Sequence, residues 1–275
     1  MEIKSIEHKR IKRINVSQVS EEDDNLAIEE PLEIKLEYSS QKNSTEQVVS
    51  VTMRTPGKDE ELALGFLFTE GIIKHVSQVK ETKVLAVENK VLVRLQENTL
   101  PILQKIERNF YTTSSCGVCG KTSIDAIKTV SAYQTKADQI CLQPALLYGL
   151  ASALENHQSL FKKTGGLHAS ALFDIEGNFL FLQEDVGRHN ALDKVIGAAF
   201  LQQALPLDKN ILMLSGRASF ELIQKAMMAG IKIVAAVGAP SSLAVQLAED
   251  SDITLIGFLR NKGFNIYSGE KRILI

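Results

Sequence analysis

Two of the chain's three cysteines, Cys116 and Cys119, stand with two residues between them in Tyr111-Thr-Thr-Ser-Ser-Cys-Gly-Val-Cys-Gly-Lys-Thr-Ser123. Such a pair can hold a metal, exchange a disulfide or carry a group on sulfur. Thr, Ser and Gly give the segment little apolar surface to bury, and Gly117 and Gly120 free the backbone beside each sulfur, so the thiols are expected on an exposed, mobile loop. A zinc site would need a second half, and Cys141, His168 and His189 lack knuckle spacing. Gly120-Lys121-Thr122 looks like the end of a phosphate loop, yet Ser115 occupies the position where that loop requires glycine, and no apolar strand precedes it. Thiol chemistry remains. The thiolate is the nucleophile, and Lys121 with a helix expected from about Ser123 would favour it. The surroundings do not resemble the strand and helix of a thioredoxin-like oxidoreductase, which leaves a thiol that carries something, sulfur included.

The elements that must position this loop follow from pattern. The 275 residues are 44% hydrophobic and 23% charged, enough for a substantial core in one large domain or two. Thirty-one Lys and Arg against 33 Asp and Glu leave a net charge of −2, which excludes a global field for nucleic acid or an anionic membrane. No stretch approaches the roughly 20 apolar residues of a membrane span, and the charged start is unlike a signal peptide; a cytoplasmic protein with reduced thiols is expected. The basic run Lys9 to Arg13 and the acidic run Glu21 to Asp24 read as a solvated, partly disordered terminus of about 25 residues. Cys141 reads as a small buried hydrophobe.

Alternating runs at 33–38, 48–53 and 84–95 predict antiparallel strands with one wet face. Between them Arg54-Thr-Pro-Gly-Lys-Asp59 supplies a turn and an N-cap for a helix ending at Gly71. After the cysteine loop, helices are expected from Ser123 and from Pro144 to Leu160, a hairpin at 169–182, and a helix from Asn190 to Ala204. Apolar strands at 211–214, 231–237 and 253–258, alternating with helical segments 219–229 and 241–250, predict a parallel sheet buried on both faces. The division is thus an N-terminal α+β part (1–110), the cysteine loop (111–122) and an α/β part (123–275).

In a parallel sheet, loops at the carboxyl ends of the strands open on one edge, and ligands bind there. Here they contain Ser215, Gly216, Arg217 and Ser219, then Gly238 and Ser241, then Leu259, Arg260, Asn261, Lys262 and Gly263. The first two lead into helix N-termini, whose free N–H groups attract anions, and Arg217, Arg260 and Lys262 add charge suited to a phosphate or pyrophosphate. Asp185-Val-Gly-Arg-His-Asn190 is a loop of the same kind, and Arg188 or His189 is either a further ligand contact or structural. His168, at the start of a strand, reads as structural.

Six ordered blocks then acquire a common meaning. Arg54 to Gly71, Ser114 to Lys121, Gly166-Leu-His-Ala-Ser170, Asp185 to Lys194, Leu214 to Glu221 and Gly238 to Ala244 resemble the FdhD/NarQ family of accessory sulfurtransferases for formate dehydrogenase, from about residue 30 onward. The resemblance implies a cytidine deaminase-like, three-layer α/β domain with an added N-terminal α+β subdomain. Three features argue against deaminase chemistry itself: Ser170 stands where a zinc deaminase has glutamate, the cysteines come earlier in the chain, and Ser115 rather than proline precedes Cys116. It implies a persulfide on Cys116, received from an IscS-type cysteine desulfurase with Cys119 assisting. The sulfur then passes to the metal of a molybdenum or tungsten cofactor carrying two pterin guanine dinucleotides, destined for the catalytic subunit of formate dehydrogenase. It places cofactor binding, mimicked by GDP, on Phe258, Leu259, Arg260, Asn261, Lys262 and Gly263, and it implies a homodimer. The competing class is a chaperone that binds the cofactor without sulfur chemistry.

Overall fold

The structure, a computed structural model, describes residues 4–40, 43–102, 133 and 138–275. In chain order the elements are β1 (Ile6–Asn15), β2 (Gln18–Ala27), β3 (Glu30–Ser40), β4 (Asn43–Arg54), α1 (Asp59–Thr69), β5 (Val79–Leu85) and β6 (Lys90–Leu95). There follow α2 (Pro144–His157), α3 (Phe161–Thr164), β7 (His168–Asp174), β8 (Phe179–Asp185), α4 (Arg188–Leu201), β9 (Asn210–Leu214), α5 (Phe220–Met228), β10 (Ile233–Ala236), α6 (Ser242–Asp250), β11 (Thr254–Arg260) and β12 (Gly263–Ser268).

Unbroken apolar runs make β9, β10 and β11 parallel neighbours, as expected of strands covered on both faces. Leu212, Leu214, Val234, Ala236 and Leu255 face one core with α4, α5 and α6. Ile211, Met213, Ile233, Ala235 and Ile256, the alternate residues, face a second core with Leu147, Leu150 and Leu154 of α2. The sheet is larger than a parallel trio: its order is β12-β11-β10-β9-β7-β8, with antiparallel pairs at both ends. The expected loop at 259–263 is therefore a two-residue turn, Asn261-Lys262, that returns the chain as β12.

The N-terminal sheet has the order β4-β3-β6-β5. Its wet face carries cross-strand ion pairs, Lys35 with Glu46 at 2.7 Å and Arg94 with Glu37 at 3.0 Å. Its dry face, Leu32, Ile34, Leu36, Val91 and Val93, packs on α1. The single run expected at 84–95 is two strands, because Asn89 adopts φ 54° and reverses the chain. Helix α1 is apolar on nearly every side because it is enclosed, with α4 on its other flank. Its N-cap is Lys58 at φ 60°, one residue before the expected Asp59, whose carboxylate is held instead by the buried Arg54 guanidinium.

Two further expectations fail for physical reasons. The charged start is ordered as the antiparallel ribbon β1–β2, because its basic and acidic runs lie opposite each other: Arg13 meets Glu22 at 2.8 Å and Arg10 meets Asp23 at 3.4 Å. Cys141 is exposed, since Leu142 takes the inward position of this short extended segment.

Helices α1 and α4 touch backbone to backbone. A Cβ on Gly65 would collide with the carbonyl oxygen of Asp193, and one on Gly197 with that of Glu61. Beside the crossing, Lys225 donates to both oxygens of Asp193 at 3.0 Å and to Thr69 at 2.9 Å, tying α1, α4 and α5 through buried polar groups. Gly65→Ala or Gly197→Ala is expected to cost about 3 kcal/mol or more, because neither backbone can withdraw. Gly149→Ala, on the exposed side of α2 with nothing within 4 Å, is expected to stabilise by about 0.5–1 kcal/mol. Urea unfolding midpoints measure both.

Candidate functional site

Strand directions decide what shares an edge. β8 runs parallel to β9, β10 and β11, so all four end on one side of the sheet, and the antiparallel β7 begins there. Leu214, Ala236 and Arg260 therefore lead into the expected loops on the same edge, joined by Asp185 and His168, which pair across β7 and β8.

The loops after β9 and β10 are stitched together. Gly238 N–H donates to Gly216 O at 2.9 Å, Ala218 N–H to Ala239 O at 3.2 Å and Ser241 N–H to Ala218 O at 3.0 Å. Gly238 must be glycine, because a Cβ there would stand 2.8 Å from the Arg217 Cα. Ser215 is committed to structure, its hydroxyl accepting from Ala169 N–H at 2.8 Å. Ser241 caps α6 by accepting from Ala244 N–H at 3.3 Å, whereas Ser219 stands at the N-cap of α5 without a side-chain cap bond. Arg217 projects into solvent.

At the end of β11 the backbone is strained. Phe258 adopts φ 54°, a conformation costly for an aromatic residue, and its ring is 45% exposed. Its N–H reaches Gly238 O at 3.2 Å, which binds the third loop to the second. Arg260 is aimed by its donation to Val237 O at 2.6 Å and Leu259 O at 2.8 Å. Asn261 accepts from Ser152 of α2 at 2.9 Å, and Lys262 is exposed. Leu259 is fully buried in the second core, so its side chain is unavailable to a ligand.

The β8–α4 turn is built on Asp185, which is fully buried. It accepts from Gly187 N–H at 2.8 Å, Asn190 Nδ2 at 3.2 Å and Thr55 N–H at 3.2 Å, and it pairs with the buried Lys194 at 2.7 Å. That turn presents Arg188 and His189, whose Nε and Nε2 atoms are buried without a hydrogen bond among the described residues. Glu221 of α5 lies 3.9 Å from His189 Nε2. Burial alone would raise the Glu221 carboxyl, but His189, its own backbone N–H and the Ser219 side chain lower it to about 2. His168 packs against Gly216, and burial, then Arg188 and His189, push its pKa down, so its ring is neutral near pH 7.

The edge thus assembles Ser215, Gly216, Arg217, Ser219, Gly238, Ser241, the turn 258–263, His189 and His168. Sequence reasoning misses Glu221 and the Asp185 network, although Asp185, Lys194 and Glu221 all stand inside the six ordered blocks. Cys116 and Cys119 lie outside the described residues. The described chain on either side is fastened elsewhere: Ile102 N–H donates to Ile72 O at 3.2 Å, while Asp138 accepts from Arg272 and Lys232 at 2.8 Å, at the amino ends of β10 and β11.

This arrangement is a mixed α/β sheet whose carboxyl edge is lined with glycine loops and helix N-termini. The model of the FdhD/NarQ family matches residues 27–274, and the chain belongs to that family. It is 47% identical to the sulfur carrier protein FdhD of Mycolicibacterium paratuberculosis, covering 96% of this chain and 97% of the relative. It is 40% identical to that of Sulfurisphaera tokodaii, covering 97% and 99%. Among solved structures, a Desulfotalea psychrophila protein described as a formate dehydrogenase accessory protein superposes with TM-score 0.74 at 25% identity, over 98% of this chain and all of the other.

Asp185→Asn is expected to destabilise by about 3–5 kcal/mol, because it leaves the Lys194 ammonium buried without its counter-charge. Asp185→Asn with Lys194→Met should recover part of that loss in urea unfolding.

Proposed function

We propose that this chain is a sulfur carrier in formate dehydrogenase maturation, acting on a molybdenum or tungsten cofactor that bears two pterin guanine dinucleotides. Cys116 receives sulfane sulfur from a cysteine desulfurase: its thiolate attacks the outer sulfur of that enzyme's persulfide, whose inner sulfur leaves as the thiolate. Cys119 assists. The Cys119 thiolate then attacks the Cys116 sulfur, so that the outer sulfur leaves as hydrosulfide to the cofactor's metal and the two cysteines remain as a disulfide, and the loaded cofactor goes to the catalytic subunit of formate dehydrogenase. The protein works as a homodimer, and the six-stranded part is a deaminase-like fold put to another use.

The observation that carries the reading is the stitched carboxyl edge. Helices α5 and α6 start there, and their first N–H groups and dipoles suit the pyrophosphates. Arg217 and Lys262 supply mobile charge, and Arg260 supplies a fixed one. The strained, half-exposed Phe258 gives a flat face on which guanine can stack. Stitching the loops before ligand arrives lowers the ordering cost of binding.

Calorimetry with GDP measures the site. Phe258→Ala and Arg217→Ala are each expected to weaken GDP binding about tenfold, the effect of losing one stacked base or one charge-assisted contact. Unchanged affinity in both would remove the nucleotide from this edge.

Intact-mass spectrometry after incubation with a cysteine desulfurase and cysteine measures the chemistry. The native chain is expected to gain one sulfur, lost on reduction, and Cys116→Ala to gain none and to yield no active formate dehydrogenase in cells lacking the native protein. A native chain that binds GDP but never gains sulfur would instead be a cofactor chaperone.

A further inference from the structure

The six-stranded sheet ends at β8, which is paired on one side only, with β7. The hydrogen bonds of β7 decide what the other side offers. Ala169 gives its main chain to the loop after β9, accepting from Ser215 N–H at 3.0 Å and donating to Ser215 Oγ at 2.8 Å. Its alternate neighbours His168, Ser170 and Leu172 therefore bond β8 at Asp185, Gln183 and Phe181, and the intervening Leu182 and Glu184 turn their main chains outward. Lys194 Nζ takes Glu184 O at 3.5 Å, while Leu182 N–H, Leu182 O and Glu184 N–H face away from the sheet with no strand beside them.

Edge strands are ordinarily blunted by charge or irregularity. β5 carries Lys80, Glu81 and Lys83, and β12 is broken by two register shifts. β8 instead opens with the uncharged run Phe179-Leu180-Phe181-Leu182-Gln183, in which Leu180, passed over in the register with β7, is 46% exposed. A cavity of about 430 Å³ lies against this run, walled by Pro56, Gly57 and Lys58, by His157 stacked on Phe179 at 3.7 Å, and by Ser159 and Leu160. Its walls are preformed, since Ser5 Oγ donates to Pro56 O at 3.1 Å and Lys194 to Thr55 O at 2.9 Å. Its charge is one-sided. Glu184, the one carboxylate lining it, has its oxygens taken by the N–H groups of Leu160 and Phe161 at 2.9 and 2.7 Å, and the Lys194 ammonium is held by Asp185. Lys58 is left at 58% exposure, its surface pair with Glu61 at 3.1 Å open to a second carboxylate.

We propose that this cavity receives an extended segment of a partner protein, added to β8 as a further strand, with apolar side chains at alternate positions and an acidic side chain directed to Lys58. Main-chain groups at Leu182 and Glu184 repeat with the two-residue period of a strand, and Leu180 and Leu182 give alternate side chains an apolar bed. Preformed walls keep the ordering cost on the partner's side alone. A second copy of the chain does not fit, because β8 set against β8 would bring two sets of walls together. Nothing in this docking depends on the sulfur-carrier reading.

Selection of random peptides of roughly eight residues on the full native chain tests it. Selected sequences are expected to alternate apolar residues and to contain Asp or Glu, and the synthetic peptide of the strongest is expected to protect residues 179–185 in hydrogen–deuterium exchange. Lys58→Glu is expected to weaken that peptide about tenfold, and a peptide with lysine in place of its acid to bind this variant better than the native chain. Stepwise N-methylation of the peptide tests the strand without touching the protein's fold: the amide facing Leu182 O is expected to lose at least about tenfold in affinity when methylated, and its two neighbours to tolerate it. No peptide enriched over a control protein, protection confined to residues outside 179–185, indifference to Lys58→Glu, or N-methyl effects without alternation would each overturn the proposal.

Discussion

The carboxylate of Asp185 is the point through which the rest of the structure is aligned. A buried charge is tolerable only when its lone pairs and its counter-charge are supplied, and Asp185 draws them from three places: its own turn, helix α4 and the segment between β4 and α1. Lys194 closes the loop by donating to Thr55 O at 2.9 Å, and Asn190 by donating to Met53 O at 2.7 Å. Because every member is satisfied in one arrangement, the N-terminal sheet, α1 and the start of α4 have one relative placement. The bare glycine crossing of α1 on α4 then becomes possible, and Lys225 with Asp193 and Thr69 extends the same placement to α5.

The carboxyl edge is a consequence of that frame. Helix α4 begins where Asp185 ends β8, so His189 is delivered beside Glu221 at the head of α5. From there the loops bond to each other rather than to the layers below, ending at Phe258, whose backbone strain is maintained by its hold on Gly238. Rigidity of this kind suits recognition of a polyanion, whose affinity depends on donors already in position.

What is legible in the sequence follows from the range of the forces involved. The unbroken apolar runs of β9 to β11, and the Gly- and Ser-rich segments after them, are local signals and point to the right residues for the edge. The partnership of Thr55 with Asp185 spans 130 residues and has no local signature. Thus Asp185 and Lys194 are visible as parts of a motif but not as the buried pair that builds it. β12 escapes a sequence reading because Leu259 to Gly263 looks like its neighbouring loops, and the difference lies in the chain's return across β11. The ribbon reads as disorder because composition registers charge, while only register shows that opposite signs meet. The cysteine pair rests on residue types and spacing alone.

The central claim is that the carboxyl edge, and not another surface, receives the guanine nucleotide end of the cargo. Hydrogen–deuterium exchange with and without saturating GDP tests it most directly. Protection is expected in peptides covering residues 215–219, 238–242 and 258–263, with no change around Lys232, Thr254 and Arg272 at the opposite edge. Protection confined to that opposite edge or to the four-stranded sheet, or none anywhere, would contradict the account.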